Sequence, residues 1–207
     1  MTKKALVLIY EGMSLSEINL LTNYLTIHQP WEQMWTIDTV GAGKITYATE
    51  DQFLVSPVKT FSEIDFTEYE IIIFPGIINP YPVAEDKRII DFLSPLATMD
   101  KRPLIAAISS SPMLLAKSGV LNGVKFTAGL FEETLDEFDF FQKENIIRKP
   151  WFYDEQHHIL TAIGFAFREF AIESAKLLGF EISDDKFSGP RKDRLYTEEE
   201  LTFRRSK

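Results

Sequence analysis

The sequence predicts an α/β protein built on a mostly parallel sheet, with helices on both faces and one small hairpin. Three observations carry this. Short, wholly apolar runs such as Lys4-Ala-Leu-Val-Leu-Ile-Tyr10, Glu70-Ile-Ile-Ile-Phe74 and Pro103-Leu-Ile-Ala-Ala-Ile108 are what strands buried on both faces look like. Between them lie segments whose apolar residues recur at helical spacing, and strands alternating with helices imply a parallel sheet. Finally, the run ending at Ile108 passes into Ser109-Ser110-Ser111-Pro112 and then directly into the helical stretch Met113 to Lys117.

In chain order, the first strand leads through Glu11-Gly12 to a helix. Ser14 or Ser16 is placed to cap it, with Glu17 in its first turn. Leu20, Leu21, Tyr24, Leu25 and Ile27-His28 give its spacing, and Pro30 stops it. Trp35 to Val40 reads as a second strand, closed by Gly41-Ala42-Gly43. Lys44 to Val58 alternates and turns as a hairpin does, about Glu50-Asp51. Glu70–Phe74 is the next strand and runs into Pro75-Gly76. Glu85 to Met99 reads as a helix, Pro103 to Ile108 as a strand. Lys125 to Ala128 reads as a short strand, Phe131 to Phe138 as an acidic helix, and Ile146-Ile147 and Ile159 to Ile163 as strands joined through Tyr153 to His157. Phe165 to Leu178 is a long helix capped by Gly179. Residues 1–180 form the expected domain. From residue 181 onward the chain is too polar for a core and reads as a surface extension, with one short helix near Thr197 to Leu201.

Composition narrows the function. A chain of 207 residues fits one large domain able to bury about 70% of its unfolded surface. There is no cysteine, which excludes disulfides, thiolate metal sites and cysteine catalysis. We expect neither a metal nor a cofactor. The net charge of −9 comes without a basic stripe, so nucleic acid is not an expected partner. No apolar run approaches the ~20 residues that span a bilayer. Ala5 to Tyr10 is too short for the core of an export signal. The expectation is a cytoplasmic protein with no membrane partner.

The segment with chemical promise is Ala106-Ala-Ile-Ser-Ser-Ser-Pro112. A strand that becomes a helix without a loop holds its apex residue in strained geometry, tolerates only small neighbours and lifts the apex side chain above the sheet. Ala107 and Ser111, two residues either side of Ser109, are both small. Three serines ahead of a helix also fit ordinary capping, so the residues alone leave both readings open.

The chain resembles the DJ-1/PfpI superfamily, small relatives of the class I glutamine amidotransferases. The resemblance is carried by Leu6 to Glu17, Phe74-Pro75-Gly76, the elbow itself, Gly119-Val-Leu-Asn-Gly123, Phe126-Thr127, Leu160-Thr161-Ala162-Ile-Gly164 and Arg168-Glu169-Phe170-Ala171. It spans roughly residues 4 to 180 and implies a flavodoxin-like, doubly wound fold, with a homodimer as its relatives often form. The elbow residue of that family is a cysteine, and the resemblance places it at Ser109. The partner carboxyl falls on Glu17, and the oxyanion amides on Gly76 and Ser110. The family's second loop glycine is Ile77 here. The histidine that protease-type members carry after the cysteine is Ser110, and the one that others carry on the next strand falls near Ala128. The site keeps its shape and its acid without thiol or imidazole.

A serine hydroxyl does not ionise at neutral pH and needs a base. His28 ends a helix, where a cation is favoured. His157 and His158 precede the strand that closes near Gly164, and six residues at ~3.3 Å put His158 about 20 Å from the elbow. Glu17 remains, as a base if burial raises its pKa or simply as a first-turn acid. Asn79, Tyr81 and Glu85 follow Gly76 and either line the pocket or serve the loop. Three functions fit: a pocket that binds a small carbonyl or carboxylate ligand with little or no turnover, an amidase- or protease-like hydrolase using Ser109 with Glu17, and a homodimeric scaffold.

Overall fold

The computed structural model describes residues 3–27 and 35–182. The strands are β1 (Lys4–Leu8), β2 (Thr36–Gly41), β3 (Tyr47–Ala48), β4 (Leu54–Val55), β5 (Lys59–Thr60), β6 (Ile71–Phe74), β7 (Leu104–Ile108), β8 (Trp151–Asp154) and β9 (Ile159–Ala162). Seven of them form one sheet in the order β5-β2-β1-β6-β7-β9-β8, while β3 and β4 pair as a separate antiparallel hairpin. All neighbours in the large sheet are parallel except β8 and β9. Leu6 lies opposite Asp38 and Ile72, Ile72 opposite Ile105, and Ala106 opposite Leu160. This is the flavodoxin-like α/β arrangement the sequence predicts.

The apolar runs account for the sheet's centre. Every residue of β6 and β7 is fully buried, because helices cover both faces. α1 (Asn19–Thr26) and α6 (Phe167–Leu177) pack together on one side. α2 (Pro80–Glu85) and α3 (Lys87–Leu93), from the crossover between β6 and β7, pack together with α4 (Pro112–Lys117), which follows β7. α5 (Glu132–Glu137) follows the elbow helix. Phe180 joins the N-terminal half to α6 by meeting Tyr24 edge-on at 5.5 Å and Trp35 at 5.9 Å. Gly179 closes α6 with φ 87°.

Several elements differ from the reading of the sequence. Ser14 and Ser16 do not cap α1. Its N-cap position is Ile18, without a side-chain cap, and the Ser14 hydroxyl instead donates to Glu50 on the hairpin turn. The expected helix from Glu85 to Met99 is α3 plus a 3-10 turn at Ser94–Ala97, and α2 precedes it. Asp86 breaks the helical path with an extended backbone and caps α3 by accepting from Arg88 N, while Pro95 cannot continue α3. Lys125–Ala128 and Ile146-Ile147 are not strands; a single bridge between Phe126 and Ile146 is all that forms. The residues taken as a connection at Tyr153 and Asp154 belong to β8, a half-buried edge strand that turns back into β9 at Glu155 to His158. His28 and the extension from residue 183 onward, with its expected helix, lie outside the described residues. Among the described residues no helix is long and apolar enough to cross a membrane.

Candidate functional site

The strand order reverses between β1 and β6. The chain first winds outward from β1 through β2 to β5, then returns to β6 and continues through β7 to β9. Loops leaving the carboxyl ends of the strands part at such a switch point and leave a crevice. Here the loops after β1 and β6 are stitched together: Ser14 N donates to Gly76 O at 2.8 Å, Ile78 N to Gly12 O at 3.0 Å, and Met13 bridges Ile77. The loop after β1 delivers Glu17, the loop after β6 delivers Gly76, and the end of β7 delivers Ser109.

Ser109 has φ 63°. This left-handed backbone is uncommon for a residue with a side chain and persists where the surroundings enforce it. The enforcement is visible. Ser109 N donates to Ala162 O at 2.8 Å, extending the β7–β9 ladder by one rung, and Ser109 O accepts from Gly129 N at 2.7 Å. The neighbouring serines tie the turn down rather than capping α4. Ser111 Oγ donates to Ile108 O at 2.7 Å and lies 3.0 Å from Phe74 O. Ser110 Oγ lies 2.7 Å from Ile77 O and accepts from Ile77 N at 2.9 Å. The elbow is therefore bolted to β6 and to the loop after it.

The space round Ser109 exists because its walls lack side chains. A Cβ on Gly76 would lie 2.0 Å from Glu17 Oε2 and 2.7 Å from Ser109 Cβ. One on Gly164 would lie 2.7 Å from Glu17 Oε1 and 3.1 Å from Ser109 Oγ. Gly129 passes almost as close, with its would-be Cβ 3.2 Å from Ser109 Cα. Gly129 and Gly164 are site residues that the sequence reading does not single out. For Gly164 the available signal was a glycine at the carboxyl end of a buried strand.

Glu17 is half-buried beside Ser109. Burial, more than any other influence, holds its pKa above the usual carboxylate range, and the negative charge of Glu50 pushes the same way. Hydrogen bonds from the Ser109 hydroxyl and the Gly76 amide oppose the rise without cancelling it. Tyr10, wholly buried, donates to Pro75 O at 2.5 Å, and its pKa is raised well above normal by burial and then by the charge of Glu17. Of the two amides expected to face an oxyanion, that of Gly76 donates to Glu17 Oε2 at 2.8 Å. The Ser110 amide has no acceptor among the described residues.

The remaining candidates do other work. Asn79 caps α2, Tyr81 OH lies 3.0 Å from Thr134 Oγ1, and Glu85 pairs with Lys117. His158 sits at the start of β9, its carbonyl accepting from Ile105 N and its Nδ1 2.7 Å from Tyr153 OH. His157 Nδ1 meets Asp154 Oδ1 at 2.8 Å. Both histidines lie at the opposite end of the sheet, a four-residue strand or about 13 Å from the elbow.

A strained serine at a strand-to-helix elbow, faced by an acid from the loop after the first strand, is a constellation that can be compared with known proteins. The sequence profile of the DJ-1/PfpI family matches residues 3–176. The chain belongs to the DJ-1/PfpI family. No curated protein matches it. Among solved structures, a ThiJ/PfpI family protein from Bacillus anthracis is 25% identical, with TM-score 0.69 over 86% of this chain and 84% of its own. A DJ-1 superfamily protein from Agrobacterium tumefaciens aligns with TM-score 0.71 at 19% identity, over 86% and 90% of the two chains. DJ-1beta from Drosophila melanogaster aligns with TM-score 0.68 at 20% identity, over 90% and 94%. These last two likenesses are of fold.

Proposed function

We propose that this DJ-1/PfpI family member uses the Ser109 elbow to bind a small carbonyl or carboxylate ligand, with little or no turnover. The observation that carries the reading is the Ser110 amide, which has no acceptor among the described residues and stands beside the Ser109 hydroxyl at a strained turn. A backbone amide without an acceptor in the protein is satisfied when water or a ligand oxygen accepts from it. Ser109 adds a hydroxyl that donates to Glu17 and keeps its lone pairs as acceptors. Glu17, whose pKa burial raises, accepts from the Gly76 amide and the Ser109 hydroxyl and so fixes the position of both.

Turnover needs more than this. Hydrolysis by a serine requires a base that takes its proton and an oxyanion hole that strengthens in the transition state. Glu17 is tied to the Gly76 amide, which occupies one of the two amides such a hole would use. His157 and His158 face away at the other end of the sheet. What remains suits recognition.

The test is a titration followed by amide NMR. N-methylacetamide and acetate, as minimal carbonyl and carboxylate probes, are expected to shift the Ser110 amide proton downfield and saturably. Ser109→Ala is expected to weaken the response several-fold without abolishing it, since the amide donor remains. A Ser110 amide that answers to neither probe would overturn the reading.

A further inference from the structure

A second recess shares no residue with the elbow site. Residues 61–66, which lead from β5 toward β6, and residues 91–99, at the end of α3 and in the turn after it, line an open groove of about 520 Å³. A small molecule fits in that volume. Phe61, Phe66, Phe92 and Met99 contribute to its apolar surface, and Asp65 and Asp91 line it too. Phe92 is the centre of the aromatic group. Phe61 stacks on it with ring centroids 4.1 Å apart and planes 10° from parallel, and Phe66 lies 4.9 Å away at 42°. All three rings and Met99 are half-buried, resting on the core. Rings that hold one another in this way present a surface formed before any ligand arrives, which lowers the cost of binding.

The charge at the groove is negative. From Phe61 to Glu70 the chain has four acids and no lysine or arginine. Glu63 pairs with Lys44 and Glu68 with Lys4, whereas Asp65 has no cation beside it among the described residues. Asp91 has Lys87 at 2.6 Å, an exposed pair one helical turn apart of the kind that contributes little. Two carboxylates and one ammonium leave the groove at −1.

An aromatic face attracts a cation through its quadrupole, and nearby carboxylates add to that attraction. A neutral ligand gains nothing from the carboxylates, and an anion is repelled by them. A cation bearing N–H groups needs acceptors, but Asp65 Oδ1 and both oxygens of Asp91 already accept, from Thr67 and Lys87. A quaternary ammonium needs none, and its charge is spread over methyl groups that can pack on rings and a thioether. We propose that this groove binds a free quaternary ammonium compound, with its methylated nitrogen against Phe61, Phe66 and Phe92 and its charge toward Asp65 and Asp91. A phosphocholine headgroup fits less well, because its phosphate would lie beside the same carboxylates.

The experiment titrates the full chain, labelled in its phenylalanine rings and methionine methyls, and follows it by NMR. The probes are choline, its neutral isostere 3,3-dimethylbutan-1-ol, and phosphocholine. Choline is expected to shift the Phe61, Phe66, Phe92 and Met99 signals saturably and to bind at least about fivefold tighter than the neutral alcohol. Phosphocholine is expected to bind more weakly than choline, and the Ser110 amide to respond to none of the three. Phe92→Leu keeps apolar bulk without the π face and is expected to bring choline down to the affinity of the alcohol. Asp65→Asn keeps an oxygen for Thr67 and leaves the rings untouched, so it tests the charge even if Phe92→Leu fails to fold; a several-fold loss for choline and none for the alcohol is expected. Equal affinity for choline and the alcohol would make the groove an apolar surface only and overturn the inference. So would ring signals that answer to neither compound, or choline affinity that the variants leave unchanged. Phosphocholine binding tighter than choline would contradict a free ammonium compound as the occupant. Ring signals that move on dilution of the protein and not with choline would assign the groove to a second copy of the chain, and the inference would fall.

Discussion

Glu17 is caught between two demands. Its carboxyl is pulled out of water by the loops around it, which favours the protonated form, yet it accepts from the Gly76 amide, which favours the ionised one. Burial is the larger influence, so the folded protein binds that proton more tightly than the unfolded chain does. The stability linked to it is therefore fully present below the ordinary glutamate pKa and is lost as pH rises through the raised, folded value. Glu17→Gln removes the titration while keeping an oxygen for the Gly76 amide. The variant is expected to be as stable as the wild type or more so at neutral pH, with a flatter pH dependence in urea unfolding above the ordinary glutamate pKa of 4.5. Identical pH slopes for the two proteins would show that Glu17 does not feel the burial described.

At the scale of elements, the site is made by where backbone is allowed to approach backbone. β6, β7 and β9 end level with one another, and their carboxyl ends carry Gly76, Ser109 and Gly164 to a common point. Gly76→Ala would set a methyl 2.0 Å from Glu17 Oε2. The carboxyl has to leave, breaking its bond to the Gly76 amide. A loss of about 1–3 kcal/mol in unfolding free energy is expected, together with loss of the pH dependence assigned to Glu17. An unchanged stability and pH profile would mean that the glycine wall is not what shapes the pocket.

The same scale explains what could be read in advance. The elbow was legible because small residues flank Ser109 and a buried strand runs straight into a helix. The central strands were legible because burial on both faces leaves uninterrupted apolar runs. β8 was not: it is a half-buried edge strand, and its aromatic residues behind Pro150 look like the rest of a long connection. Lys125 to Ala128 has the composition of a strand, but it makes only one bridge, so its pattern reflects packing of Phe126 rather than pairing. The serines of the first loop carry a capping signature, yet Ser14 is buried and its hydroxyl serves Glu50, a contact 36 residues away that no local pattern encodes. Gly129 was hidden for the same reason. Its role depends on a carbonyl 20 positions earlier in the chain.

Over the whole molecule, the doubly wound sheet reverses its strand order between β1 and β6, and beside that point this chain brings together an acid, a strained serine and an amide with no acceptor among the described residues. The family's sequence profile matches residues 3–176, while the sequence contains no cysteine. The account holds that what survives is recognition rather than catalysis. The measurement that bears on this most directly is intact-mass spectrometry of the full chain after incubation with a fluorophosphonate, alongside nitrophenolate release from p-nitrophenyl acetate in the wild type and in Ser109→Ala. The expected result is an unchanged mass, and release at the same rate in both proteins. A fluorophosphonate adduct mapped to Ser109, or release that Ser109→Ala abolishes, would contradict it and make the elbow serine a working nucleophile.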